Sequence, residues 1–312
     1  GIVFYGVFLV SEGTVSMGGM VAAVLLSSRT LAPLAQIANL FGRANNAKTS
    51  YKRLASFMEE TQEDDVSEKN KGAIRREKLG SIEFKDTTYR YPEADLDTLR
   101  SINLSVNEGE KVAILGRNGS GKSTLMKLAS GLFKASDGLV MYDGVDIKQL
   151  HTDDLSKSIG IVLQDVQLFS GSIRENITMG REDINQDDLI NAGKLSGLDD
   201  FVSKIPGGYD LQLSDGGKGL SGGQRQSIAL ARAIVHKPTH FILDEPTSAM
   251  DMNAENIFIS QMGSIMQDST MLIVTHRMPL LNLVDRIIVM NEGQIVEDGP
   301  KEEIINKLNQ PR

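Results

Sequence analysis

The stretch Lys111–Phe133, KVAILGRNGSGKSTLMKLASGLF, decides the fold class of this chain. It reads as a short apolar strand, a glycine-rich loop and the start of a helix. Gly116, Gly121, Lys122 and Ser123 satisfy the pattern G-x-x-x-x-G-K-[ST] in that context. The glycines let backbone N–H groups crowd around phosphate oxygens, and the helix N-terminus adds its positive dipole end. We therefore expect a nucleotide here, with Lys122 at the β and γ phosphates and Ser123 supplying a hydroxyl to Mg²⁺.

Similar apolar runs recur along the chain after about Ser81. They are SIGIVLQ at 158–164, THFILDE at 239–245 and TMLIVTH at 270–276, and helical segments separate them. Runs of about four to six apolar residues that are closed by polar or glycine turns are typical of buried parallel strands. The repeated order of strand, loop and helix predicts an α/β domain.

Polar residues close these strands. Asp244, at the end of a buried strand in a chain with a phosphate loop, is suited to coordinate Mg²⁺. Glu245 follows it and has the chemistry to polarise an attacking water. His276 ends another strand, where it could contact the γ-phosphate or the water, and Gln164 could sense the phosphate by a hydrogen bond. The alternatives are a helix cap for the Asp–Glu pair and a structural role for a lone histidine.

A second glycine-rich helix start occurs in GKGLSGGQRQSIALARA, residues 217–233. Ser221, Gly222 and Gly223 precede apolar residues at helical spacing, and a helix that begins in this way is a second candidate anion site. An ordinary capped helix would explain Ser221 but leaves the two adjacent glycines unexplained. One triphosphate could lie between both helix starts if two copies of the chain faced each other head to tail.

Composition narrows the class of partner. The chain has 312 residues, of which 40% are hydrophobic and 24% charged, as is typical of a globular protein. Its formal net charge of -8 argues against nucleic acid as the main partner, because nucleic-acid binders usually present a basic surface. The chain has no cysteine, which excludes disulfides and Cys-ligated metals, and its 4 histidines show no metal-ligand spacing.

The first 41 residues are strongly apolar. Residues 1–10 read like the tail of a hydrophobic helix, and Met17–Phe41 carries one charge, Arg29. At about 1.5 Å per residue the second run could cross a bilayer of about 30 Å, although Arg29 and Pro33 interrupt it. A long buried helix of a soluble domain is the alternative. Arg29 would face a water-filled pathway or the bundle interior, or it would snorkel or pair without a transport role.

Charge predicts the orientation and the domain boundaries. Basic residues cluster just after the apolar run, so the positive-inside rule places the chain after residue 42 in the cytoplasm. The run from Glu59 to Gly80 is rich in charged residues and is expected to be a linker or a solvated face. We therefore expect the end of a transmembrane domain at 1–44, a cytoplasmic helix extension and charged linker at 45–78, and a nucleotide-binding domain at 79–312. Gly1 lies in an apolar run without an initiator Met, which indicates a fragment or a processed N-terminus.

The set of motifs resembles the nucleotide-binding part of an ATP-binding cassette (ABC) exporter, joined to its last membrane helices. LSGGQ at 220–224 looks like the signature motif of that family, and GRNGSGKS at 116–123 looks like its P-loop. FILDE at 241–245 is similar to its acidic strand, and SAMD at 248–251 to its D-loop. The resemblance covers about residues 79–312.

The resemblance implies an α/β P-loop NTPase fold with a mixed sheet core, an antiparallel β subdomain and a helical subdomain. It implies ATP and Mg²⁺ as ligands, with catalytic roles for Glu245, His276 and Lys122. Metal contacts would come from Ser123, Gln164 and Asp244. The residues implied to contact ATP, some of them across a homodimer, are Tyr91, Gly116, Asn118, Gly119, Gly121, Lys122, Ser123, Thr124, Gln164, Ser221, Gly222, Gly223, Gln224 and Asp251. Two positions depart from the common exporter pattern: Ser227 stands where many members carry Arg, and Asp215 where glutamate is common.

The N-terminal segment narrows the resemblance further. Residues 16–54 look like the final membrane helix of exporters of type I secretion, which move RTX-type toxins or adhesins out of Gram-negative bacteria, and SRTLAPLAQ at 28–36 carries most of this resemblance. QDVQLFSGSIRENI at 164–177 is similar to the Q-loop region of exporters in general. The resemblance to type I secretion implies a multi-pass inner-membrane protein with a cytoplasmic nucleotide-binding domain. Its partners would be a protein cargo, a periplasmic adaptor and an outer-membrane channel, with no nucleic acid. The alternatives are a lipid or drug exporter and a soluble cassette ATPase that acts on nucleic acid or ribosomes.

Overall fold

The computed structural model describes residues 2–63 and 70–309, and contacts divide the chain into two compact units, residues 1–69 and 70–312. The first unit consists of helices α1 (Ile2–Ser11) and α2 (Met17–Glu63). The two helices contact each other at Gly6, where an added Cβ would lie 2.8 Å from Met20 Cγ. The sequence between 64 and 69, part of the predicted linker, lies outside the described residues.

The predicted membrane span is not confirmed. The structure places it in α2, a helix of 47 residues that continues well beyond Phe41 into the polar part of the chain. Arg29 is exposed on this helix, and Pro33 lies inside it. No helix among the described residues combines the length and the apolar character that a membrane crossing requires.

The second unit contains three sheets and the remaining described helices. The strands are β1 (Ile82–Tyr89), β2 (Leu99–Val106), β3 (Lys111–Gly116), β4 (Asp137–Tyr142), β5 (Val145–Asp146), β6 (Ile159–Val162), β7 (Gly171–Ser172), β8 (Gln212–Leu213), β9 (His240–Asp244), β10 (Thr270–Val274), β11 (Arg286–Asn291) and β12 (Gln294–Pro300). The helices are α3 (Lys122–Ala129), α4 (Thr152–Ser158), α5 (Ile173–Thr178), α6 (Gln186–Leu195), α7 (Asp199–Val202), α8 (Gly222–Ile234), α9 (Met252–Ile265) and α10 (Lys301–Asn309).

The central sheet has six strands in the order β12-β11-β3-β10-β9-β6. Neighbouring strands from β11 to β6 are parallel, and only β12 is antiparallel to its neighbour β11. All four apolar runs identified in the sequence form strands of this sheet, so the α/β prediction is confirmed. The antiparallel edge makes the sheet mixed, as the resemblance implied.

Both faces of the central sheet are buried, which explains why its strands are apolar without alternation. Successive residues of one strand enter opposite cores: Ala113 packs with one cluster and Ile114 with the other. One cluster includes α3 and the four-stranded antiparallel sheet, of order β2-β1-β4-β5. The other includes α8 and the helical segment that follows β7. The antiparallel and helical subdomains are therefore both present.

Residues 70–80, which include the end of the predicted linker, pack within the second unit. Leu79 is buried at 2% exposure, and Ile74 forms a parallel bridge with Leu150. The buried carboxylate of Asp154 accepts hydrogen bonds from Arg75 Nε and Arg76 N, both at 2.9 Å. Residues 70–80 thus combine charged side chains with ordered backbone, which the charge pattern did not predict.

His240 connects the start of β9 to this segment. Its Nε2 lies 2.6 Å from Gly80 O, and because a carbonyl only accepts, Nε2 carries the proton. The ring also packs edge-on against Tyr142, with centroids 5.2 Å apart. Burial lowers the pKa of His240, and this effect outweighs the opposing influences of the Gly80 hydrogen bond and the Asp143 charge.

We expect acid to destabilise the second unit through His240. With a lowered pKa in the fold, the unfolded chain binds the proton more readily, so this contribution is complete above about pH 6.5 and is lost below it. Urea unfolding at a series of pH values between 7.5 and 5.5 measures the slope of the unfolding free energy against pH. His240→Gln should flatten it by up to about 1.4 kcal/mol per pH unit, and an unchanged slope would contradict the assignment.

Candidate functional site

A polar cleft of about 470 Å³ opens at the carboxyl edge of the central sheet. The loop between β3 and α3 forms one wall, and the ends of β9 and β10 form another, because parallel strands end at the same edge. The residues that line it are Tyr91, Thr98, Asn118, Gly119, Gly121, Lys122, Ser123, Thr124, Gln164, Asp244, Glu245, Val274 and His276. Most of the sequence-predicted site residues therefore meet in one place.

Two glycines are required by the shape of the phosphate loop. Gly116 has a φ of +151°, and an added Cβ would lie 2.3 Å from the carbonyl oxygen of Met290 on β11. Gly121, with a φ of +99°, would place a Cβ 2.6 Å from Leu99 Cδ2. The loop is thus closely packed from below, and this packing directs its backbone toward the cleft. Gly116 itself lies under the loop and does not line the cleft.

Lys122 is held inside this loop. Its Nζ donates to Gly116 O at 2.8 Å and to Arg117 O at 2.9 Å, and the residue is 7% exposed. Burial lowers its pKa, while the charges of Asp244 and Glu245 act in the opposite direction. An ammonium held by two carbonyls at the floor of a cleft is a preformed point charge for a phosphate oxygen.

Asp244 presents an unpaired carboxylate oxygen to the same cleft. It is 2% exposed, and its Oδ1 has no hydrogen-bond partner. Burial raises its pKa, against the lowering effects of the Ser123 hydroxyl and of Lys122. A buried orphan carboxylate oxygen fits a hard divalent cation such as Mg²⁺, which prefers oxygen ligands.

Ser123 and Gln164 line the same cleft as Asp244, so the three predicted metal contacts lie together. Within residues 2–63 and 70–309 no group of three His, Cys, Asp or Glu side chains could hold a metal ion. Mg²⁺ binds to few protein groups and completes its shell with phosphate oxygens and water. The donor set therefore fits a cation that binds together with a nucleotide.

We expect Asp244→Asn to stabilise the chain in the absence of ligand. The substitution removes a buried charge that lacks a full set of partners, which we expect to gain about 1 kcal/mol of unfolding free energy. That gain corresponds to about 2–4 °C in Tm for a domain of this size. Thermal unfolding with and without Mg·ATP measures both effects. A variant that is less stable without ligand, or that keeps the full Mg²⁺-dependent shift, would contradict the metal role.

Glu245 and His276 form a pair at the strand ends. His276 Nε2 lies 3.6 Å from Glu245 Oε1. Burial raises the pKa of Glu245, Asp244 adds to the rise, and His276 opposes it. Glu245 has a φ of 51°, a conformation that is uncommon for residues other than glycine, and its N–H donates to Val274 O at 2.9 Å. Its side chain is 14% exposed, so a water in the cleft can reach it.

Tyr91, which lines the cleft, belongs to a cluster of three aromatic rings. Tyr89 and Phe133 are stacked with centroids 5.1 Å apart, and Tyr91 meets both edge-on. The Tyr91 hydroxyl lies 3.2 Å from Thr124 Oγ1, which ties the ring to the first turn of α3. The exposed part of a ring held in this way offers an apolar surface to a planar base.

The second glycine-rich helix start lies outside this cleft. Ser221 Oγ accepts from Gln224 N at 3.2 Å, and Gln224 Oε1 accepts from Ser221 N at 2.8 Å, which together form a capping box. An added Cβ on Gly222 would lie 3.0 Å from Ala249 Cβ, so this glycine permits close packing. Within one chain, helix capping accounts for Ser221 and Gln224, and close packing accounts for Gly222. The sequence alone left open the choice between a helix cap and an anion site.

Asp251 also lies outside the cleft lining. Its side chain accepts from Ala254 N at 2.8 Å and caps α9. The departures from the exporter pattern are not in the cleft either: Asp215 is exposed, and Ser227 lines a small separate cavity of about 90 Å³ with Asp200 and Phe258.

Two functional candidates were missed in the sequence. Gln226 is 2% exposed; its Nε2 donates to Glu245 O and its Oε1 accepts from Ala249 N. Arg277 Nη2 donates to Ser248 O and Met250 O. Their sequence signals were weak. Gln226 is a polar residue on the apolar face of a predicted helix. Arg277 directly follows His276, which had already been assigned to the γ-phosphate or the water.

The chain is similar in sequence to a known protein family and to two curated proteins. Residues 99–248, which include the phosphate loop, the signature motif and the acidic strand, match the family described as ABC transporter. The chain carries an ABC transporter domain. The leukotoxin translocation ATP-binding protein of Mannheimia glucosida is 37% identical over 305 residues, which are 97% of this chain and 42% of that protein. The leukotoxin export ATP-binding protein of Aggregatibacter actinomycetemcomitans is 37% identical over 300 residues, 96% of this chain and 42% of that protein.

A solved structure has a fold similar to that of this chain. A bacterial Atm1-family ABC exporter with ATP bound is similar with a TM-score of 0.69 and 31% identity, over 74% of this chain and 40% of that one. The chain thus spans well under half the length of these relatives. The P-loop fold and the resemblance to an ABC exporter of the type I secretion kind are confirmed.

Proposed function

We propose that the protein to which this chain belongs hydrolyses ATP to drive export across a bacterial inner membrane, with a protein as cargo. The observation that carries the proposal is the cleft in which Lys122, Asp244 and Glu245 converge on one phosphate loop. The relatives whose names specify leukotoxin export support a protein as the cargo.

The residues of the cleft divide the work. Lys122 and the backbone of the phosphate loop bind the β and γ phosphates, and Tyr91 offers its ring to the adenine. Ser123, Gln164 and Asp244 would hold Mg²⁺, which when bound neutralises charge on the phosphate oxygens. Glu245 orients the attacking water and accepts its proton, because its carboxylate is partly buried yet reachable. His276, beside Glu245, contacts the γ-phosphate or the water.

Two copies of the chain would complete each site. Ser221 and Gly223 lie outside the cleft of their own chain, and the N-terminus of α8 can offer its dipole to an anion on a second copy. A head-to-tail homodimer would therefore hold two ATP molecules, with Gln224 and Asp251 at the same interface. ATP favours the closed dimer and the products do not, so each hydrolysis event reopens it.

The place of action follows from the exporter proposal. We propose a multi-pass protein of the inner membrane with its ABC domain in the cytoplasm. A periplasmic adaptor and an outer-membrane channel would carry the cargo onward, as the resemblance to type I secretion implies.

An ATPase assay of the purified chain tests the enzymatic part. We expect hydrolysis that requires Mg²⁺ and is abolished by a chelator. Lys122→Ala should weaken ATP binding by about 10- to 100-fold, the effect of losing a charged hydrogen-bond donor. Lys194→Ala, an exposed lysine on α6, is the matched control and should behave like wild type. Hydrolysis that Lys122→Ala leaves intact would overturn the proposal.

A secretion assay tests the cargo. Proteins released by cells that carry the intact gene are compared with those from cells in which Glu245 of the encoded protein is replaced by Gln. Loss of one or a few large proteins from the medium supports protein export. An unchanged set of released proteins, with altered lipid or drug efflux, would favour a different cargo.

A further inference from the structure

Gln226 joins the signature helix α8 to the turn that carries Glu245. Its Nε2 donates to Glu245 O at 3.0 Å, and its Oε1 accepts from Ala249 N at 3.1 Å. Since a carbonyl only accepts and a backbone N–H only donates, these two partners dictate the orientation of the amide. The amide nitrogen and the amide oxygen of this buried side chain thus both form hydrogen bonds with the backbone of one turn.

The bond to Glu245 acts on a residue whose conformation is unusual. Glu245 has a φ of 51°, and such a conformation persists only when the surroundings determine it. Three hydrogen bonds hold its backbone: the N–H donates to Val274 O on β10, and the carbonyl accepts from Ser248 N within the turn and from Gln226 Nε2. Of the two donors to this carbonyl, Ser248 belongs to the turn itself, and Gln226 is the one that comes from α8.

Gln226 belongs to a wider contact between α8 and the same turn. Gly222 lies four residues earlier on the same helix face and packs against Ala249. On the other side Arg277 donates to Ser248 O and Met250 O. Residues 245–250 are therefore held from both sides, by α8 and by Arg277.

We propose that Gln226 is a positioning residue for ATP hydrolysis, which places the Glu245 carboxylate only while the signature helix is seated on the turn after β9. The proposal rests on the proposed ATPase function. It deepens that function because it couples the two ATP sites of the proposed dimer. In each copy the start of α8 would contact the ATP bound by the partner, and the same helix would position the Glu245 carboxylate that acts on that copy's own ATP.

Two substitutions separate positioning from simple packing. Gln226→Met keeps the length of the side chain and removes both hydrogen bonds. Gln226→Glu keeps an acceptor for Ala249 N, but when ionised it faces the Glu245 carbonyl without a donor. When protonated, the introduced carboxyl can make both bonds again. Gln149→Glu, at an exposed position far along the chain, is the control for an added carboxyl.

The measurement is kcat and KM for ATP of the full chain from pH 8.5 to 5.5, each divided by the wild-type value at the same pH. The titratable groups that face this position are Glu245 and His276, with Arg225 and Asp165 in the adjoining small cleft. These four residues are the same in the wild type and in both variants, so the ratio removes most of their effect.

We expect a loss in kcat of about 10- to 100-fold at high pH for both variants, the effect of a misplacement of about 1 Å, with KM unchanged. The ratio for Gln226→Glu should recover as the pH falls, and that for Gln226→Met should stay low. Recovery at low pH would also show that the variant is folded. A pH-independent loss in Gln226→Glu, an equal rise in KM, or wild-type kcat would overturn the positioning role. A wild-type chain without ATPase activity would overturn the function itself, which is a separate outcome.

Discussion

Glu245→Gln is expected to bind Mg·ATP as tightly as the wild type and to lose turnover by about 10²- to 10⁴-fold, the usual contribution of a general base. The amide preserves the size of the side chain but cannot accept a proton from water. Binding should survive because the proposal assigns the contacts to phosphate and metal to Lys122, Ser123 and Asp244, which line the same cleft. Single-turnover hydrolysis and equilibrium ATP binding, measured on the same preparation, separate the two effects.

Glu182→Gln provides the matched control for this substitution, because Glu182 is exposed and lies outside the cleft. It should change neither binding nor turnover. Turnover of Glu245→Gln within a few-fold of wild type would remove Glu245 from the role of base. A parallel loss of ATP binding would show instead that its charge is needed to organise the cleft.

Ser221→Arg is expected to abolish an ATP-dependent dimer. In a chain that also carries Glu245→Gln, Mg·ATP should raise the mass in solution from one copy to two, because ATP stays intact at the interface. The arginine would fill the space at the start of α8 that the proposal assigns to the partner's phosphate, and it would also remove the capping hydroxyl. Mass measurement with and without Mg·ATP, over a range of protein concentrations, follows the effect.

Two controls separate the interface from the cap. Ser221→Ala removes the cap alone, at about 1 kcal/mol of stability, and should retain more dimer than Ser221→Arg. Ser203→Arg, at an exposed position, should leave the dimer unchanged. A dimer that persists in Ser221→Arg would leave Ser221 as a helix cap. A parent that stays a single copy with Mg·ATP would contradict ATP-driven association of this chain.

The order of motifs along the chain was sufficient to predict the nucleotide cleft. The phosphate loop, the acidic strand end and the strand that ends at His276 are each local signals, in which a short run of residues determines both the element and its final polar group. Because parallel strands end at one edge, these local signals also predict that Lys122, Asp244, Glu245 and His276 meet, and they do. Membrane crossing by residues 17–41 was predicted by the same kind of reasoning and is not confirmed.

Other features depend on contacts between residues far apart in the chain, and only the tertiary structure reveals them. Gly222 looked like part of an anion site, yet in the fold it also makes room for Ala249. Gln226 bonds the backbone of Glu245, and His240 holds Gly80 across 160 positions of sequence. No local pattern encodes such pairs, because a buried polar side chain chooses its partner from whatever backbone the packing brings within hydrogen-bond distance. Short motifs therefore predicted which side chains line the cleft. The hydrogen bonds that hold the backbone of Glu245 arise only when the strands and helices pack together.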